Sequence, residues 1–126
     1  MDSVRRCAMR LQGNHMHITE RDGTFTAQHI TGPTHNMLRL TIARGNPEEF
    51  AVTVLPPIGE CCHHEGLTAE EVLPAIQAGL ADVNAALNTD YVIRAAEIVE
   101  NDSRQRGIYE YLTRKIIEKA AQTQQA

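Results

Sequence analysis

The densest concentration of reactive side chains is Glu60-Cys61-Cys62-His63-His64-Glu65, six neighbours that can each bind a metal or carry a proton. Thiolates and imidazoles together suit Zn²⁺ better than Mg²⁺ or Ca²⁺, which makes Cys61, Cys62, His63 and His64 the candidate metal ligands and zinc the candidate cofactor. Spacing limits how many of them one ion can take. Structural zinc sites use pairs about two to four residues apart, whereas adjacent residues of an extended segment point to opposite sides. At most about half of the cluster could therefore serve one ion, for example Cys61 with His63, or Cys62 with His64, and further ligands must come from elsewhere. His15 and His17 lie two apart on one predicted strand face, and His29 and His35 flank Gly32-Pro33, so other imidazoles exist if the fold brings them near.

The same segment permits thiol chemistry, because a neighbouring imidazole or the N-terminus of a following helix would favour the thiolate of Cys61 or Cys62. No third residue that would orient a base is recognisable, and cysteines are equally at home as small packing residues. A second polar run, Glu100-Asn101-Asp102-Ser103-Arg104-Gln105-Arg106, offers Asp102 or Ser103 as a helix cap, with Arg104 and Arg106 placed to receive a small anion. The plainer reading is a solvated loop. Glycine-rich phosphate loops, the dinucleotide fingerprint, the helical zinc-protease motif and the nucleophile elbow are all absent, so the sequence leaves open whether the chain is an enzyme.

These residues need a scaffold, and the chain is long enough to build one. Its 126 residues, 42% hydrophobic and 22% charged, are those of a single ordinary globular domain. Twelve Lys and Arg against sixteen Asp and Glu leave a net charge of −4, which argues against a phosphate-binding surface for nucleic acid or anionic membrane. No apolar run approaches the roughly 20 residues that span a bilayer, and residues 1–15 lack the continuous apolar stretch of a secretory signal. Three cysteines, Cys7, Cys61 and Cys62, make no disulfide framework, which points to reduced thiols and a cytoplasmic location.

Residues 1–14 carry no periodicity and read as an irregular leader, residues 15–122 as one domain, and 123–126 as a frayed tail, with Ala120 already in a polar terminal stretch. Alternation over 15–30 brackets Asp22-Gly23, the dipeptide suited to a two-residue type I′ hairpin. That turn pairs Arg21 with Thr24, Ile18 with Ala27 and Met16 with His29, so Met16, Ile18, Phe25 and Ala27 share the core face. His29, beside Met16, reads as a satisfied, partly buried histidine. Leu38, Leu40 and Ile42 mark a third strand; Phe50, Val52 and Val54 mark a fourth, ended by Pro56-Pro57. Short turns predict that these four form an antiparallel meander.

Thr68 and Glu71 have capping-box spacing ahead of Val72, Ile76, Leu80, Val83 and Leu87, the apolar face of a helix that either kinks or begins at Pro74 and ends at Asn88 to Asp90. Residues 91–99 read as a fifth strand. Ile108, Leu112 and Ile116 line a second helix with Arg114, Lys115 and Lys119 in its last turn. The expected fold is α+β: a two-layer sandwich, mainly antiparallel, of four to five strands covered on one face by two helices, in the order β-β-β-β-α-β-α. Without a catalytic signature, the leading expectation is a non-catalytic, self-associating interaction module that uses the open sheet face or an edge strand to meet a second copy or another protein. The alternative is a zinc-binding or thiol-dependent protein centred on residues 61–65.

Overall fold

The computed structural model describes residues 14–31, 34–46, 48–56, 66–100, 102 and 107–125. Strands β1 (Asn14–Arg21), β2 (Thr24–Thr31), β3 (Thr34–Arg44), β4 (Val52–Leu55) and β5 (Tyr91–Val99) form one sheet, with helices α1 (Ala69–Leu87) and α2 (Ile108–Gln125), in the order expected from the sequence. The first hairpin follows from its turn. Asp22 (φ 53°) and Gly23 (φ 85°) both hold the positive φ that type I′ requires. The carboxylate of Glu20 accepts from the Gly23 N–H at 3.0 Å. The register is the expected one, with Arg21 opposite Thr24, Ile18 opposite Ala27 and Met16 opposite His29.

The four-strand meander is corrected by the strand order, β1-β2-β3-β5-β4. β5 inserts between β3 and β4, antiparallel to the first and parallel to the second. The reason lies in the connections. α1 carries the chain back across the sheet after β4, so β5 starts from the same end as β4 and can pair with it only in parallel. β5 is also the strand suited to the interior, since Tyr91, Ile93, Ala96 and Ile98 reach the helical layer while Val92 and Val99, on the other face, are buried too. A bulge lets odd and even positions share a face: the register slips between Thr41 and Ile42, so Arg94 has no partner in the ladder and Ala96 and Ile98 fall in line with Tyr91 and Ile93.

Thr68 caps α1, its Oγ1 accepting from the Glu71 N–H at 3.3 Å, and Asn88 ends it in the left-handed conformation (φ 58°, ψ 52°) with its N–H given to the Asn84 carbonyl. The helix begins at Ala69 and runs through Pro74, which lies on the exposed side of the second turn, where a carbonyl that loses its partner can take water. Val72, Ile76 and Val83 are buried as expected, but Leu87 is 40% exposed because the last turn runs past the edge of the core. Gly79 lets the two helices touch: a Cβ there would lie 2.7 Å from the Glu110 carbonyl oxygen and 3.0 Å from Thr113 Cβ.

α2 starts at Ile108, after Gly107 in positive φ (75°), and not at Asp102; Ser103 lies outside the described residues. It continues to Gln125, so Arg114, Lys115 and Lys119 lie in its body and its last turn has no basic residue. Ala120, placed by composition in the polar tail, is 2% exposed and belongs to the core with Leu112, Ile116 and Ile117. The helices cover one face of the sheet, α1 over β4 and β5 and α2 over β3 and β2. Strand β1 lies beyond that layer, with β2 as its main neighbour, and its core-face residues Met16 and Ile18 are only partly buried. Among the described residues no helix is long and apolar enough to cross a membrane.

Candidate functional site

Polar side chains are buried at one end of the sheet, where β2 and β3 meet the start of α2. His29 is 8% exposed, Asp102 3%, and Asn36 and Thr113 fully enclosed. Three consecutive residues of β3 tie down the chain that leads into α2. His35 Nδ1 lies 3.3 Å from Asp102 Oδ1, the Asn36 amide donates to the Tyr109 hydroxyl at 3.2 Å, and the Met37 N–H donates to Asp102 Oδ2 at 2.6 Å.

The position of Asp102 follows from where β5 ends. The β3–β5 ladder stops at Leu38 opposite Ile98, and the chain then turns, with the Asp102 N–H given to the Val99 carbonyl. The next N–H of β3 that points toward β5, that of Met37, has lost its strand partner, and the Asp102 carboxylate takes the place of the missing carbonyl. Burial raises the pKa of Asp102 above the usual carboxylate value, opposed in part by the Met37 N–H and by His35. An imidazole held by a buried carboxylate is the arrangement that fixes a histidine's tautomer and ring orientation for metal binding or proton transfer. Here Asp102 is a sheet cap and a holder of His35; the helix-cap role expected from Asn-Asp-Ser is not the one it plays.

His29 lies on the opposite face of the sheet, in line with Phe25 and Ala27 and directly across from Asn36. Its ring meets Tyr111 edge-on, 5.9 Å between centroids, and burial lowers its pKa. The expectation of a satisfied histidine is corrected, because its buried Nδ1 has no hydrogen-bond partner. Thr113 is satisfied within its own helix, donating to the Tyr109 carbonyl at 2.8 Å.

The sheet therefore separates the histidines that sequence placed together. His29 faces the helices, while His35 lies on the other face with the exposed His17. Cys61, Cys62, His63 and His64, like Arg104 and Arg106, lie outside the described residues. Both flanks of the Cys/His segment are nevertheless placed: Glu100 donates its N–H to the Leu55 carbonyl at 3.0 Å and accepts from the Leu67 N–H at 2.9 Å. Among the described residues no group of three His, Cys, Asp or Glu is arranged to hold a metal ion.

Asn36, Tyr109 and Thr113 were not singled out by their types. One signal was present, since Asn36 and His29 occupy positions in phase with Leu38 and Phe25, where an alternating strand should present apolar side chains. The face of the sheet away from the helices pairs its polar groups internally: Thr24 with Thr41 at 3.1 Å, and Arg39 with both Thr26 at 3.1 Å and Glu97 at 2.7 Å. No family model, no curated protein and no solved structure matches this chain.

Proposed function

We propose that this chain is a non-catalytic interaction module that associates with copies of itself. The observation that carries this reading is the overhang of β1, an eight-residue edge strand beyond the helical layer whose Met16 and Ile18 lack full cover. An edge of this length, with which no other described strand pairs on its outer side, is a template for pairing with another chain. The buried polar side chains described above support the same reading, because Asp102, Asn36 and Tyr109 are engaged in holding α2 to β3. Sedimentation velocity over a wide concentration range tests it. A sedimentation coefficient that rises with concentration is expected, and a constant monomer value up to the highest concentration removes it.

A second reading is favoured by the two hydrogen bonds of Glu100. They fix Leu55 and Leu67, the flanks of the Cys61, Cys62, His63 and His64 segment, two positions along the chain from Asp102, which holds His35. A zinc-binding or thiol-dependent role would draw on those four residues, with His35 as a carboxylate-oriented further donor. Zinc at one equivalent in protein purified without added metal, lost when all four are replaced together, would support it. Metal-free protein whose melting is unchanged by chelator would remove it.

A further inference from the structure

Resting on the self-association reading, we propose that β1 pairs antiparallel with β1 of a second copy about a two-fold axis at His17, joining two five-stranded sheets into one.

Among the described residues the two edges of the sheet differ in protection. Strand β4 is four residues long and followed by Pro56, both devices that blunt an edge. β1 is eight residues long, pairs with β2 without a register shift, and contains no proline, lysine or bulge. It also carries one acidic and one basic residue, Glu20 and Arg21, so the strand brings no net formal charge of its own to the contact at neutral pH.

The register follows from hydrogen-bond geometry. In a two-residue hairpin the residues flanking the turn exchange both backbone bonds, so Arg21, Thr19, His17 and His15 turn their N–H and C=O groups toward β2. Asn14, Met16, Ile18 and Glu20 then direct theirs outward. An antiparallel partner of the same sequence must match outward residues with outward residues. An axis at His17 places Met16 opposite Ile18 of the second copy, Ile18 opposite Met16, and Asn14 opposite Glu20. These four narrow pairs supply roughly eight backbone hydrogen bonds, two from each. An axis at Ile18 would set Met16 against a glutamate, and an axis at Met16 would shorten the overlap. Only the axis at His17 joins the two partly buried apolar pairs into one patch on the helical side, where each copy's α2 flanks it.

The test is intermolecular. In an equal mixture of ¹⁵N-labelled and unlabelled chain, isotope-filtered NOE spectra should connect the amide proton of Met16 in one copy with that of Ile18 in the other. Met16→Pro removes an outward N–H and none that serves β2, and should weaken association at least tenfold. Met16→Lys, which keeps the N–H but sets a charge beside the apolar patch, should also weaken it tenfold or more. Thr53→Lys, on β4, should leave it unchanged. An associating protein that lacks the Met16–Ile18 contact and is indifferent to both Met16 variants would overturn the β1 assignment while leaving self-association standing. NOEs from the β1 edge to residues 1–13 of the same chain would overturn it as well. A protein monomeric at every concentration would overturn both.

Discussion

Replacing Asp102 by alanine separates a sheet cap from a loop residue. The carboxylate is 3% exposed and accepts from the Met37 N–H at 2.6 Å and from His35 at 3.3 Å. Alanine leaves the Met37 N–H buried without a partner, which costs about 1–3 kcal/mol, with the contact to His35 lost in addition. For a domain of this size about 2 kcal/mol lowers Tm by roughly 6–12 °C. Asp102→Asn keeps an oxygen for Met37 and gives up only the charge, so its cost should be about half or less. Chemical denaturation gives the free energies, and hydrogen exchange at the Met37 amide identifies the bond, with protection lost in Asp102→Ala and kept in Asp102→Asn. The pH dependence has a definite sign. Burial raises the folded-state pKa of Asp102 above the unfolded value of 3.8, so the native state holds its proton more tightly. The stability this confers is complete below 3.8 and lost as pH rises through the folded value. Relative to Asp102→Asn, the wild type should gain stability as pH falls toward 3.8. An alanine variant within about 0.5 kcal/mol of wild type, or one that retains protection at Met37, refutes the cap.

Two further substitutions probe the packing and the buried histidine. Gly79→Ala adds a Cβ 2.7 Å from the Glu110 carbonyl oxygen; overpacking of about 1–3 kcal/mol should outweigh the roughly 1 kcal/mol gained in helix propensity, and a higher Tm would contradict the close helix contact. His29→Phe keeps the edge contact with Tyr111 and removes the unpartnered Nδ1, so at pH 8 its stability should lie within about 1 kcal/mol of wild type or above it. Burial lowers the folded-state pKa of His29 below 6.5, so the unfolded chain takes up the proton first. Wild type should lose stability relative to His29→Phe as pH falls below 6.5, and parallel pH profiles would show that His29 is not desolvated.

Local chemistry made the hairpin and the first helix legible. Asp22-Gly23 dictates its turn, the turn dictates the register from Met16 to His29, and Thr68 with Glu71 announces a helix start, all within a few residues. The place of β4 was not legible, because alternation says which side chains share a face and nothing about which strand lies alongside. A signal existed in β5, whose apolar residues on both faces, Ile93 and Val92 among them, suit a strand flanked on both sides. The role of Asp102 is hidden from the sequence for a related reason. Asn-Asp-Ser is helix-cap chemistry, and only the end of the β5 ladder, distant in sequence, leaves Met37 needing an acceptor. Leu87 followed the helical period correctly but lies where the core has run out. The residues richest in chemical possibility, 60–65, lie outside the described residues, and the fold fixes the flanks of their segment through Glu100.

Small-angle X-ray scattering of the full chain tests self-association through β1 most directly, since one curve reports both mass and shape. Two 14.0 kDa chains joined edge to edge should give about 28 kDa and an elongated particle, its ten strands at about 4.8 Å each spanning roughly 48 Å across the sheet. A mass of 14.0 kDa at high concentration, or a dimer too compact for a continuous sheet, would contradict it.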